Sequence, residues 1–462
     1  MKQDLTVIIL AAGQGTRMKS QKAKVLHEAG GDTLLNHVIR QALTVTDPSH
    51  IVAVIGHQAD RVRESVTVPI RFALQEERKG TGHAVLCARA LVDPAAELLM
   101  ILNGDGPLIL PATLQALADA VRAGNQGAVV TTEVDDPAGY GRIVRNNQGG
   151  IAAIVEEKMA SSEIRQIREI NAGAYCFRPI LWDYLSRIQP SNPEGEYYLT
   201  DVVDLMTRNG DSVAPLLVRD STELLGINTL IELAVADSIL RQRKAQELML
   251  SGVTIESPAS VTIDNAVTVA ADTIIESNVQ LRGATRIGEG CHIGTGSVLR
   301  NCVVEDNVHI LPYVVADQSH IGAHVNVGPF SRLRPNARAC EGSHIGNFVE
   351  LKNTTLGAGS KANHLAYLGD SIIGSGVNIG AGSITCNYDG SKKHPTRIED
   401  GVFVGSNSTL VAPLTIHEGA YIAAGSVITK EVKADALAIG RSRQSDKPGW
   451  AKQRRELKGV QK

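Results

Sequence analysis

The spacing of aliphatic side chains divides this chain in two. From Ile263 onward an aliphatic residue returns at every sixth position: Ile263, Val269, Ile275, Leu281, Ile287, Ile293 and Leu299. The beat restarts in a new register at Val315, Ile321, Val327, Leu333, Ile345 and Leu351, and again at Ile398, Val404, Leu410, Ile416, Ile422 and Ile428. Glycine often follows the aliphatic residue, as at Gly288, Gly294, Gly322, Gly328, Gly346, Gly374, Gly380 and Gly405. Neither a helix nor one long strand has this period. Short strands joined by tight turns do, and repeats of this length predict a parallel β-helix. Each repeat sends one aliphatic side chain into a stack, and small residues permit the turn. Such a rod is a quasi-one-dimensional solenoid, expected over about residues 252–440.

The first half follows another rule. Apolar strand-like runs at Val7–Leu10, Ile51–Ile55, Leu98–Leu102 and Ala128–Thr132 alternate with amphipathic stretches such as Leu34–Thr44 and Thr113–Arg122. This βαβα order predicts an α/β layer fold with a mostly parallel, Rossmann-like sheet. Ligands of such sheets sit at the carboxyl ends of the strands. Residues 230–250 hold no Gly or Pro and predict one long amphipathic helix. The expected organisation is an α/β domain over 1–229, a linker helix over 230–250 and a β-helix domain over 251–462.

Composition narrows this picture without changing it. The 462 residues suit two or three domains. An apolar content of 43% and a charged content of 21% are ordinary for a soluble protein. The net charge of −3 gives no case for nucleic acid or an acidic membrane surface. Few aromatics (3%) and 44 glycines fit thin coils. The six cysteines, Cys87, Cys176, Cys291, Cys302, Cys340 and Cys386, show no CxxC, and read as reduced thiols of a cytoplasmic protein. The chain runs straight into a strand pattern without the features of a signal peptide, and no membrane-spanning stretch is expected. The C-terminal segment is basic (Arg441, Arg443, Lys447, Lys452, Arg454, Arg455, Lys458, Lys462). It reads either as a solvated, partly disordered end or as a contact for phosphate.

Two clusters carry chemistry. After the first strand comes Leu10-Ala11-Ala12-Gly13-Gln14-Gly15-Thr16-Arg17-Met18, whose small residues let backbone N–H groups approach an anion. Met18 stands where a dinucleotide fingerprint needs glycine, and no Walker Gly-Lys-Ser/Thr is present. This string, with Lys24, resembles the signature of sugar nucleotidyltransferases. Matches continue through Gln75, Gly80-Thr81-Gly82-His83-Ala84, Asn103-Gly104-Asp105, Gly139-Tyr140-Gly141-Arg142, Val155-Glu156-Glu157-Lys158, Ile170-Asn171-Ala172-Gly173, Gly195-Glu196-Tyr197-Tyr198-Leu199-Thr200-Asp201 and Gly226-Ile227-Asn228. Together with the hexapeptide solenoid, essentially the whole chain resembles the bifunctional N-acetylglucosamine-1-phosphate uridyltransferase/glucosamine-1-phosphate acetyltransferase family.

The resemblance implies a left-handed β-helix, two reactions and two sets of residues. In the first reaction site Arg17 and Lys24 serve the triphosphate and the leaving pyrophosphate, and Asp105 with Asn228 holds Mg²⁺. Leu10, Ala11, Ala12, Gly13, Gln75, Gly80 and Thr81 hold the uridine. Gly141, Glu156 and Asn171 hold the sugar and its N-acetyl group, and Asn103 and Gly104 belong to the same UDP-N-acetylglucosamine set. Such charge on phosphate oxygens is handled by positioning and electrostatics. Three departures from the family pattern stand out: Ala23 where Pro is usual, Asn103 for an aromatic, and Gly106 for Val.

The second cluster lies where the hexads lapse, and includes Ser331-Arg332-Leu333-Arg334-Pro335, Gly346 to Lys352, Lys361 to Asp370, Asn378 to Gly382, and Thr385 to His394. Cationic groups cannot enter an aliphatic stack unpaired, so they line its outside or a cleft. A protonated sugar amine needs a base that titrates near neutrality, which suits histidine. Within the resemblance, His364 is that base. Arg334 and Lys352 bind the sugar phosphate, with Lys393 as an extra contact, while Tyr367 and Asn378 orient the sugar. Ala381, Asn387, Tyr388, Ser406, Ala424 and Arg441 hold acetyl-CoA. A homotrimer through the β-helix is implied, with small-molecule substrates, no nucleic acid and no membrane insertion. Two alternatives remain: a nucleotidyltransferase whose solenoid only assembles or regulates it, and a non-catalytic regulatory subunit.

Overall fold

The structure is a computed structural model and describes residues 4–190 and 195–459. The chain divides into two compact units, Met1–Arg243 and Lys244–Lys462.

In the first unit nine strands form one sheet: β1 (Leu5–Ala11), β2 (Ile51–Ile55), β3 (Arg71–Leu74), β4 (Leu98–Asn103), β5 (Gly127–Glu133), β6 (Arg142–Arg145), β7 (Ile151–Val155), β8 (Glu169–Phe177) and β9 (Val213–Leu217). The main order is β9-β5-β8-β4-β1-β2-β3, with β6 on β8 and β7 on β6. β1 is parallel to both β2 and β4, β2 to β3, and β9 to β5; β8 runs antiparallel between β4 and β5. Each expected strand lies within or coincides with an observed one. The central strands β1, β2 and β4 are covered on both faces, so they read as continuous apolar runs rather than alternating ones.

Helices cover the faces. Thr33 caps α1 (Leu34–Ala42) by accepting from the Asn36 backbone N–H at 3.2 Å, and the helix buries Leu34, Leu35, Val38, Ile39 and Ala42. α2 (Ala59–Ser65) and α3 (Thr81–Ala88) follow β2 and β3. α4 (Pro111–Arg122) starts on proline, whose missing N–H costs nothing there, and buries Leu114, Leu117, Ala118 and Val121. α5 (Leu181–Leu185) and α6 (Thr200–Arg208) complete this face set. The expected long helix is observed as α7 (Leu230–Leu250). It lacks the single apolar stripe that amphipathicity requires. Ala236 and Leu240 pack in the first unit and Ala245 and Leu248 in the second, while Ile231 is 79% and Leu250 91% exposed.

The second unit is a left-handed parallel β-helix of three sheets, with 11, 10 and 9 strands. These are the first, second and third faces of a triangular coil, entered at Thr254–Ile255, Thr262–Ile263 and Thr268–Val269. Every strand but the last of each sheet pairs in parallel with the next strand of that sheet, about one coil on. Gln280 pairs with Val298, eighteen residues later. Arg286 pairs with Val303, seventeen later, because one corner has lost a residue. The same corner is one residue short again in the next coil, where inward Ala316 and Ile321 stand five apart, and this corrects the hexad reading at one position. Val315 points outward, 45% exposed, and Ala316 takes the inward place at 1%. Other inward residues, including Ile263, Leu281, Ile293, Val327 and Leu410, are fully buried. Buried hydroxyls near the corners bond backbone carbonyls of the next coil, as Ser331 does to Gly346 O at 2.6 Å and Thr354 to Leu368 O at 2.9 Å, so these polar groups cost little. The basic segment ends in α8 (Trp450–Gly459), a helix exposed along its length. Lys462 lies outside the described residues. No helix among the described residues is long and apolar enough to cross a membrane.

Candidate active sites

β1 and β4 are neighbours at the point where strand order reverses, and Leu10 stands opposite Asn103 in their register. Open α/β sheets offer a crevice at such a switch point. Leu10, Arg17, Thr81, Asn103, Asp105, Gly141, Glu156, Asn171 and Asn228 line one cleft there. Gly13 and Lys24 line its continuation with Asp105 and Asn228, and Ala12, Gln75 and Gly80 line another arm. Gly104 N–H donates to Leu10 O at 2.9 Å, which extends the parallel ladder to the crevice. Ala11 is 1% exposed, so it offers the crevice only its backbone. Met18 is buried in a cluster with Leu34 and Leu108, which explains why the loop departs from a dinucleotide fingerprint.

Three distant segments meet at one ionic centre. Lys24 Nζ contacts Asp105 Oδ2 and donates to Asn228 Oδ1 at 2.8 Å; Arg17 donates to the same Asn228 oxygen at 2.9 Å. Gly15, in the left-handed region at φ 71°, allows the loop to close onto Lys24, whose Cβ a side chain there would strike. Asn228 is set by the start of α7. Thr229 and Glu232 form a capping box: the Glu232 carboxylate accepts from Asn228 N–H at 2.6 Å and Thr229 N–H at 2.8 Å, and Thr229 Oγ1 accepts from Glu232 N–H at 3.2 Å. Asp105 O accepts from Ile227 N–H at 3.1 Å, tying the two oxygen-bearing side chains together. Asp105 and Asn228 thus turn hard oxygens toward one positively charged point, an arrangement that fits a hard divalent cation.

The base and sugar arms are backbone-close. Gly80, at φ 94°, lies so near the Tyr197 backbone that no Cβ fits. Gln75 Nε2 donates to Gly80 O at 3.1 Å, and Thr81 Oγ1 accepts from Leu199 N–H at 2.9 Å. Asn171 donates to Tyr175 Oη at 2.6 Å and accepts from Gly173 N–H at 3.1 Å. Thr200 donates to Glu156 at 3.0 Å; burial pushes the Glu156 carboxyl up. Burial, then the charges of Glu156 and Asp204, push Asp201 up to about 6. Ala23 adopts φ −55°, the value a proline would impose, and its N–H donates to Gln58 Oε1 at 3.1 Å. A hydrogen bond that proline cannot make therefore replaces the stiffness expected to be missing. Asn103 packs against Gly173, and a Cβ at Gly106 would meet the Asn103 carbonyl oxygen at an ordinary 3.8 Å contact.

In the β-helix the residues fall at two successive corners. At the first-to-second corner, ladder hydrogen bonds run Leu365 N–H to Asn347 O (3.1 Å), Gly382 N–H to His364 O (3.4 Å), Asn407 N–H to Ala381 O (2.7 Å) and Gly425 N–H to Ser406 O (2.8 Å). Asn347, His364, Ala381 and Ser406 therefore stack in one column that Ala424 continues, and Arg441 Cδ lies close to Gly425. Side chains at Gly380 and Gly405 would strike the backbone of Ser406 and Ala424 in the coil above. His364 is exposed, and its Nδ1 is 2.8 Å from Asn347 Oδ1. Asn378 begins the first-face strand above Lys361.

At the second-to-third corner Arg334 donates to Glu350 at 3.0 Å and Lys352 to Asp370 at 3.1 Å. Burial alone would push the Asp370 carboxyl up, but hydrogen bonds from Asn353, Lys352 and Asn387 outweigh it and hold it below the usual range. Lys393 lies beside Lys352, whose contact and charge hold the Lys393 ammonium below the ordinary lysine range. Crowded cations of this kind mark a place for an anion. Tyr367 opens the intervening second-face strand. Asn387 joins Asp370, at a different corner from Ala381, Ser406 and Ala424, so one chain does not gather the whole expected acetyl-CoA set. Tyr388, next to Asn387, is 60% exposed.

Some partners escaped sequence reading. Glu232 carries a readable signal, Thr-x-x-Glu before an apolar run. Thr200, Asn347 and Asp370 lie inside the motifs named above, but their pairings carry no local signal, because the partners lie in other segments or coils. Residues 7–185 match the MobA-like NTP transferase domain family, and residues 395–430 match the bacterial transferase hexapeptide family. The chain is 51% identical to "Bifunctional protein GlmU" of Solibacter usitatus, with 99% of both chains covered. It is 48% identical to the protein of that name from Koribacter versatilis, 97% of each covered, and 43% identical to that of Geobacillus sp., 96% of each covered.

Proposed function

The chain belongs to the family of bifunctional GlmU proteins, and on that premise we propose how its two sites divide the synthesis of UDP-N-acetylglucosamine. The protein is an acetyltransferase and a uridylyltransferase in one chain. Acetyl passes from acetyl-CoA to glucosamine-1-phosphate; the N-acetylglucosamine-1-phosphate then takes uridylyl from UTP and releases pyrophosphate.

Acetyl transfer is assigned to the β-helix. The amine nitrogen attacks the thioester carbonyl carbon, the C–S bond breaks, the thiolate leaves, and His364 takes the amine proton. Arg334, Lys352 and Lys393 hold the sugar phosphate by charge-assisted hydrogen bonds, and Tyr367 and Asn378 orient the sugar. Ala381, Ser406, Ala424 and Arg441 receive acetyl-CoA along the His364 column. Asn387 and Tyr388 belong to the same ligand set from another corner, so a neighbouring copy completes the site, and the assembly is a homotrimer through the β-helix. An exposed apolar column beside His364 supports this: Tyr313, Phe330 and Phe348 stack at 5.2 and 5.6 Å, and Leu365 follows.

Uridylyl transfer is assigned to the crevice. A sugar-phosphate oxygen attacks the α-phosphorus of UTP as the bond to pyrophosphate breaks. Arg17 and Lys24 neutralise the charge that moves onto phosphate oxygens. Leu10, Ala11, Ala12, Gly13, Gln75, Gly80 and Thr81 hold the uridine; Asn103, Gly104, Gly141, Glu156 and Asn171 hold the sugar side. Asp105 and Asn228 would hold Mg²⁺, which supplies Lewis-acid polarisation of phosphate oxygens when bound. UTP and acetyl-CoA as co-substrates fit a cytoplasmic enzyme.

The observation that carries these assignments is the separation of two anion sites by chemistry. Arg17, Lys24, Asp105 and Asn228 converge at the strand ends, whereas His364 stands in register below Ala381 and Ser406. Purified protein given glucosamine-1-phosphate, acetyl-CoA, UTP and Mg²⁺, with each left out in turn, tests them. Thiol release proceeds without Mg²⁺ and pyrophosphate release stops. Full pyrophosphate release by Asp105→Ala would sink the crevice assignment.

A further inference from the structure

Most strands of the β-helix are two or three residues long, but His344–Asn347 and Lys361–His364 each run four. They pair His344 with Lys361, Ile345 with Ala362 and Asn347 with His364. Gly346 permits this extension into the corner. A Cβ at 346 would be driven into the Asn363 carbonyl, so only glycine lets the lower coil approach that closely. The approach puts the Asn347 amide against the His364 imidazole.

The contact has a direction. Asn347 Oδ1 lies 2.8 Å from His364 Nδ1. An amide oxygen only accepts, so the proton sits on Nδ1 and the lone pair on Nε2. We infer that Asn347, brought into place by Gly346, is a positioning residue for acetyl transfer: it locks His364 as the Nδ1–H tautomer and keeps Nε2 as the base. The inference rests on His364 being the base. Histidines with one nitrogen acting on a ligand are commonly set this way through the other. The titratable groups around this corner are His344 on the coil below and Lys361 at the head of the His364 strand. Glu350, on the coil below Tyr367, is taken up by Arg334.

The test measures thiol release against pH for the full-length protein and its Asn347→Ala, Asn347→Asp and His364→Ala variants. Uridylyl transfer, assayed on the same samples, reports that the chain is folded. Asn347→Ala lowers kcat about 10- to 100-fold, with the KM for glucosamine-1-phosphate little changed. Asn347→Asp keeps an acceptor, recovers most of kcat, and moves the acidic limb of the profile up by about one pH unit, because a carboxylate favours the imidazolium. Nitrogen-15 NMR of the wild type shows the proton on Nδ1 of His364. If His364→Ala is inactive while Asn347→Ala keeps the wild-type rate and profile, the positioning role falls and the base stands. If His364→Ala retains full acetyl transfer, the base assignment falls and takes this inference with it.

Discussion

The two units solve one problem, holding a phosphorylated sugar, in opposite ways. The sheet of the first unit builds its own crevice, because strand order reverses between β1 and β4, and one ionic pair there is largely covered: Lys24 and Asp105 have side chains only 13% and 21% exposed, while Arg17 is exposed. The β-helix has no such reversal. Each coil repeats the one below, so its candidate site residues gather along corners, where the Lys352 and Asp370 side chains are 17% and 13% exposed and His364 is exposed. The lesson is that a switch-point fold converges side chains from distant segments within one chain. A solenoid stacks residues seventeen or eighteen apart into columns along its corners.

Four substitutions probe this contrast. His364→Ala should cost acetyl transfer about 10²–10⁴-fold while leaving pyrophosphate release intact; loss of both activities would show that the units are not chemically separate. Lys24→Ala should lower pyrophosphate release about 10²–10³-fold and spare thiol release, checked by the same two assays. Stability is the next scale. Ile293→Ala, inside the stack, should cost about 2–5 kcal/mol in denaturant unfolding. Val315→Ala, on the outward face, should stay within about 0.5 kcal/mol, and a core-sized loss there would contradict the one-residue correction to the register.

The smallest effect tests burial in the crevice unit. Asp201 titrates at about 6 in the fold, against 3.8 for the free side chain. The folded chain therefore holds that proton more tightly, and the stability tied to Asp201 falls as pH rises from 3.8 to about 6. Above that range the buried carboxylate is a burden. Asp201→Asn should raise the melting temperature more at pH 7.5 than at pH 4, and an equal gain at both would show that charge burial is not the cause.

Much of this was readable before any coordinates. The hexads placed most inward residues of the β-helix, and the apolar runs placed β1, β2, β4 and β5. Misreadings came where a local pattern was ambiguous by one residue or one face. Val315 and Ala316 are both small and apolar, and only the contracted corner decides which one turns inward. Helix α7 has helical propensity throughout, but its burial passes from one unit to the other, which no single stripe can encode.

Periodicity, glycine placement and motif order by themselves determined the two architectures, the boundary helix and the identities of the charged groups, because these follow from local geometry and residue chemistry. Tertiary structure alone decided which of those groups meet. Lys24 joins Asn228 across 204 positions, His364 meets Asn347 across a coil, and Asp370 rather than the His364 column claims Asn387. Such pairings depend on strand order and corner length, and those are properties of the folded chain as a whole.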